Sequence, residues 1–92
     1  MNCVIGEDCI IIRGAVTMWD LKRVLDELNP LLLLKGYEPK YYFEGFLSPE
    51  ERGIVLTIKL ARGLSKEDKR AIKLFMETLG ISVTECNDAG KK

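Results

Sequence analysis

Residues 9–20, CIIIRGAVTMWD, and residues 57–68, TIKLARGLSKED, write one junction twice. Each is an apolar run closing on Arg-Gly (Arg13-Gly14 and Arg62-Gly63), and Thr17 or Ser65 follows within three residues. Asp stands three positions further on. Thr17-x-x-Asp20 and Ser65-x-x-Asp68 are therefore variants of the capping box that opens a helix, with Asp in place of the usual Glu or Gln. Two strand-to-helix junctions of one design predict a fold built from two similar halves.

Upstream, Val4–Ile5 and Cys9–Ile12 are β-rich runs separated by Gly6-Glu7-Asp8, a turn composition. Positions 9–12 are all apolar, as in a central strand covered on both faces. After Thr17, Leu21, Val24, Leu25, Leu28, Leu31 and Leu32 recur at helical spacing on one face, with Asp20, Lys22, Arg23, Asp26 and Glu27 opposite. Pro30 either kinks this helix or begins a short continuation; the pattern leaves both open, and Gly36 supplies the stop. Lys40–Leu47 reads as a strand with Gly45 as its bulge, and 48–53 as a loop. Ile54–Ala61 is the clearest strand, with Ile54, Leu56, Ile58 and Leu60 on one face and Val55, Thr57, Lys59 and Ala61 on the other. Ser65 caps a second helix whose buried stripe is Ile72, Phe75, Met76 and Leu79. Gly80 ends it, and Ile81–Cys86 is the last strand.

This order predicts a single α+β domain over 1–92: a two-layer ferredoxin-like sandwich, βαββαβ over 9–86, with a short extra N-terminal edge strand at 2–5 and a polar tail at 87–92. In that arrangement 9–13 and 54–61 are expected as central, parallel neighbours, and 40–47 and 81–86 as the more polar edges.

Fourteen basic and fourteen acidic side chains cancel. No global field draws the chain to nucleic acid or an anionic membrane, so any such binding needs a local patch. Apolar residues at 47% with 30% charged describe an ordinary folded globule. No apolar stretch, Leu31–Leu34 included, approaches the length that spans a bilayer. Glu7, Asp8 and Arg13 interrupt the first apolar run, so no signal peptide is expected. Cys3, Cys9 and Cys86 form no C-x-x-C pair, and three is an odd count. Reduced thiols in a cytoplasmic protein are the expectation. The absence of histidine and glutamine beside nine Lys and nine Glu follows hyperthermophile usage.

Catalysis finds no footing: there is no histidine base, and Ser48, Ser65 and Ser82 have no activating partner in the sequence. No four-ligand metal set is readable around Cys3 and Cys9. No cofactor is expected.

Two kinds of binding surface are. If the two central strands are parallel, Arg13 and Arg62 meet at one edge beneath both helix N-termini, with Lys66 nearby, where free N–H groups suit a phosphate. Trp19 points about 160° from the buried stripe by the 100° helical step, and an indole there suits stacking or partner anchoring. The bland alternative is that Asp20 and Asp68 occupy the helix ends and neutralise the arginines. The second kind is apolar. Four consecutive leucines cannot all face one core, so Leu33 and Leu34 are expected outside. A two-layer fold also leaves one sheet face open, where Ile10, Ile12 and Val55 are expected, with Tyr42 on the edge strand. The sequence thus points to a non-enzymatic protein-interaction module, a homodimer or a subunit of a larger complex. The alternatives are a nucleic-acid or nucleotide-phosphate binder at the two-arginine edge and a small-ligand regulatory domain.

Overall fold

Gly6-Glu7-Asp8 makes a tight turn closed by a 2.8 Å hydrogen bond from the Gly6 N–H to the Cys9 carbonyl. It folds β1 (Asn2–Ile5) back on β2 (Cys9–Ala15). In the computed structural model, which describes residues 1–47 and 52–85, α1 (Met18–Leu34), β3 (Lys40–Leu47), β4 (Arg52–Lys59), α2 (Lys66–Thr78) and β5 (Ser82–Glu85) follow in order. Of the loop expected at 48–53, Arg52 and Gly53 instead open β4, where they pair with Leu47 and Phe46; positions 48–51, Cys86 and the polar tail at 87–92 lie outside the described residues. Among the described residues the fold is α+β, with two helices and one mixed sheet of five strands in the order β3-β4-β2-β1-β5.

Three expectations about the sheet are corrected. First, β1 is not an edge strand. The tight hairpin hands it the free side of β2, which a ferredoxin-like sandwich reserves for the last strand, and β5 pairs with β1 instead. The strand order therefore departs from the ferredoxin-like one. Second, β2 and β4 are antiparallel. A strand–helix–strand crossover returns the chain in its starting direction, so β3 runs with β2, and the reversal into β4 then opposes both. By the same logic β5 runs with β4 and so parallel to β1. Third, the bulge is at Gly14 and not at Gly45. The β3–β4 register is unbroken through Gly45↔Ile54, whereas β2–β4 shifts between Ile12↔Leu56 and Ala15↔Ile54. Gly14, at φ 87°, takes the left-handed conformation that such a bulge requires.

Register decides which residues are core. Cys3, Ile12 and Leu56 stand in one cross-strand row, and Ile5, Ile10 and Ile58 in the next. All six are fully buried. They meet Leu21, Val24, Leu28 and Leu32 of α1 and Ile72 and Met76 of α2 in a single cluster. Ile10 and Ile12 are thus core residues on the helix-covered face, which corrects their expected place on the open one. The helix passes through Pro30 without ending, so of the four leucines Leu32 is buried, Leu31 is half-buried, and Leu33 and Leu34 are exposed.

Amide exchange is expected to be slowest in β1, β2 and β4, which are paired on both sides, and faster in β3 and β5. Protection of β5 equal to that of β2 would contradict the strand order. Gly53 offers a sharper test. Its φ is 140°, and a Cβ there would lie 2.7 Å from the Ala15 carbonyl oxygen, opposite the bulge. Gly53→Ala is expected to cost more than about 1 kcal/mol in denaturant melts.

Candidate functional site

Antiparallel pairing separates the two arginines. Arg13 sits beside the bulge in register with Asn2, at the Ile54 end of β4. Arg62 follows the other end of β4, where the Leu60 and Leu64 N–H groups donate to the Asp8 and Glu7 carbonyls of the hairpin turn at 2.9 and 2.8 Å. The expected two-arginine edge therefore does not form. Lys66 lies at the Arg62 end, exposed on a flank of α2 with Lys69, Arg70 and Lys73. The helical spacing of 66, 69, 70 and 73 marks this stripe in the sequence, beyond Lys66 alone. Two carboxylates temper it: Glu85 borders the same groove, and Glu7 pairs with Lys69 at 3.2 Å.

Both aspartates hold helix ends, but neither neutralises an arginine. Asp20 accepts the Thr17 and Val16 N–H groups at 3.1 and 3.0 Å, and these hold its carboxyl below the usual range. Asp68, nearly buried, accepts the hydroxyl of the fully buried Tyr37 and pairs with Lys35 at 3.2 Å. Its own N–H donates to the capping Ser65 hydroxyl at 3.1 Å. The Tyr37 hydrogen bond is the main cause of a lowered Asp68 pKa. Arg62 covers the arrangement, its guanidinium 4.1 Å from the Tyr37 ring centroid and 2.5 Å from the Lys35 carbonyl at the end of α1. Tyr37, absent from the sequence-predicted set, is thus the hub joining the end of α1, the exit of β4 and the start of α2. Its lone aromatic position after Gly36 gave no periodic signal.

The open sheet face presents Val4, Ile11, Val55 and Cys9, all half-buried, at its centre. Register continues the Val4–Ile11 row through Thr57 to Tyr42 on β3, which is 51% exposed. Arg13, Lys40, Glu44 and Lys59, all exposed, surround it. Val55 lies where expected, but Ile11, and not Ile10 or Ile12, is its neighbour. No helix among the described residues covers this face, because both bury their apolar stripes on the other.

On the helical side Trp19 is 74% exposed, as its angle predicted. It lines a groove with Met18, Leu25 and the ion-paired Lys22 and Asp26. The groove continues past Asn29 and Pro30 to Tyr41, whose hydroxyl donates to Asn29 Oδ1. Trp19 therefore borders an apolar groove and not a cluster of cations.

Among the described residues no group of three or more His, Cys, Asp or Glu could hold a metal ion. No helix among them is long and apolar enough to cross a membrane. Burial pushes the Cys3 thiol up to about 12, which keeps it protonated and unreactive. Comparison with family models, with curated proteins and with solved structures finds no match for this chain.

A lowered folded-state pKa means that Asp68 stabilises the fold fully above the ordinary carboxylate value of about 4 and loses that contribution as pH falls below it. Tyr37→Phe is expected to cost about 1.5–3 kcal/mol at neutral pH, the range for a hydrogen bond to a charged group. It should also flatten the loss of stability on acidification, read from denaturant melts at neutral and acid pH. An equally steep acid loss in Tyr37→Phe would show that Asp68 is held by other partners.

Proposed function

We propose that this chain is a non-enzymatic protein-interaction module that works as a homo-oligomer or as a subunit of a larger complex, with its open sheet face as the contact surface. The observation that carries this reading is the apolar centre of an uncovered face: Val4, Ile11 and Val55 together on three adjacent strands. Interface centres are depleted of charge and rimmed by it, and Arg13, Lys40, Glu44 and Lys59 supply such a rim. Closed twofold assembly is the commonest way for a soluble chain to cover such a face. The nucleic-acid reading loses its support with the two-arginine edge.

Ile11 tests the reading cleanly because its side chain lies opposite the helical core. Ile11→Lys is expected to keep the circular dichroism of the wild type and to weaken open-face association by about 1–3 kcal/mol, read as loss of the largest species in sedimentation equilibrium. A wild-type chain that is monomeric at high micromolar concentration would remove the homo-oligomer. An unchanged mass distribution in Ile11→Lys would move self-association off this face.

A further inference from the structure

We propose that two copies of this chain join along the free edge of β3, antiparallel about a twofold axis at Tyr42, into one continuous ten-stranded sheet. The proposal rests on the reading of the chain as a self-associating module, but it uses a surface separate from the open face. The two edges of the sheet differ. β5 is four residues long and exposes Ser82, Thr84 and Glu85, the short polar strand with which proteins protect an edge. β3 is eight residues long, has no proline, and among the described residues pairs only with β4. It exposes Tyr42 and Phe43 by about half, at 51% and 47%. A long aromatic edge of that kind is a template for another strand.

Charge and register select a second copy as that strand. On β3 the exposed charges Lys40 and Glu44 flank Tyr42 at equal distance, two residues to either side. Antiparallel pairing centred on Tyr42 sets Lys40 opposite the second copy's Glu44, and Glu44 opposite its Lys40. It also sets Tyr42 against Tyr42 on the open face, and Tyr41 against Phe43 on the helical face, twice. Opposite charges and aromatic pairs are the favourable cross-strand neighbours. A twofold centred on Lys40 or Glu44 would oppose like charges. One centred on Tyr41 or Phe43 leaves Lys40 opposite an aromatic. One centred between residues would turn the two helical layers to opposite faces. Within a single copy, moreover, Lys40 stands directly opposite Lys59 on β4, and Glu44 opposite Val55. Among the described residues neither Lys40 nor Glu44 has an ion-pair partner. The second copy's Glu44 neutralises that like-charge pair from the other side.

The test is charge reversal in the Ile11→Lys background, which silences the open face. There the chain is expected to remain a dimer. Lys40→Glu or Glu44→Lys, each of which creates two like-charge pairs, is expected to weaken it about tenfold or more. Mixing the two variants restores both opposite-charge pairs in a heterodimer, and association is expected to recover. A monomeric Ile11→Lys chain beside an associating wild type would overturn the edge and leave the module reading in place. A wild type monomeric at high micromolar concentration would overturn the edge and the homo-oligomer together. A dimer insensitive to both reversals, or weakened by both without recovery on mixing, would overturn the β3 register.

Discussion

Antiparallel pairing of β2 with β4 holds Ile10 beside Ile58 and Ile12 beside Leu56, and the rest of the molecule depends on that register. Side chains of a strand alternate between faces, so a slip of one residue would send both isoleucines to the open face and Ile11 into the core. The register as it stands gives the helices a continuous apolar floor from Cys3 to Leu56 and leaves Ile11 and Val55 together on the other side. Gly14 allows the change at the end of β2. The extra residue of the bulge brings Ala15 back to the buried face before the chain turns into α1. One pairing therefore creates both the core and the surface on which the proposed function rests.

Where the sheet ends, a polar device replaces apolar packing. Tyr37 leaves the α1–β3 connection and reaches Asp68 on the first turn of α2, and Arg62 closes over its ring. The Ala61 N–H meanwhile donates to the Tyr37 carbonyl at 2.8 Å, which ties the same residue to the exit of β4. A carboxylate at a helix N-terminus is favourable in itself, and a buried one is tolerable only when its acceptor positions are filled. Tyr37 and Lys35 fill them, one on each carboxylate oxygen, while the Ser65 hydroxyl accepts the Asp68 N–H. The arginine that looked like a ligand-binding residue acts as a cover for this joint.

Much of the layout was legible because it rests on local chemistry. The two capped junctions placed both helices, and the alternation in 54–61 assigned Leu56, Ile58 and Val55 to the faces they occupy. The uniform run Cys9–Ile12 concealed its own parity, since four apolar residues in a row do not say which two point inward. That information lay in the partner strand, and the antiparallel direction of β4 was needed to transfer it. Direction was also what separated Arg13 from Arg62, and it was legible in the order of elements. A crossover through a helix keeps the strand direction and the β3–β4 reversal then inverts it; the parallel expectation overlooks that reversal. The place of β1 depended on a competition for one side of β2. A three-residue turn settles that competition in favour of the nearest strand, because a short loop costs little entropy to close.

The contact between β1 and β5 joins the first strand to the last in parallel, with Asn2 opposite Ser82 and Ile5 opposite Glu85. Eighty positions of chain separate those partners, so the closing of this pair carries the largest loop entropy in the sheet. The β1–β2 and β3–β4 hairpins need no such wait and can assemble while β5 is still being synthesised. Until α2 docks and delivers β5, the outer edge of β1, with Cys3 and Ile5, is unpaired and apolar. That edge is therefore open to strand exchange and aggregation from the time the first hairpin forms until β5 docks.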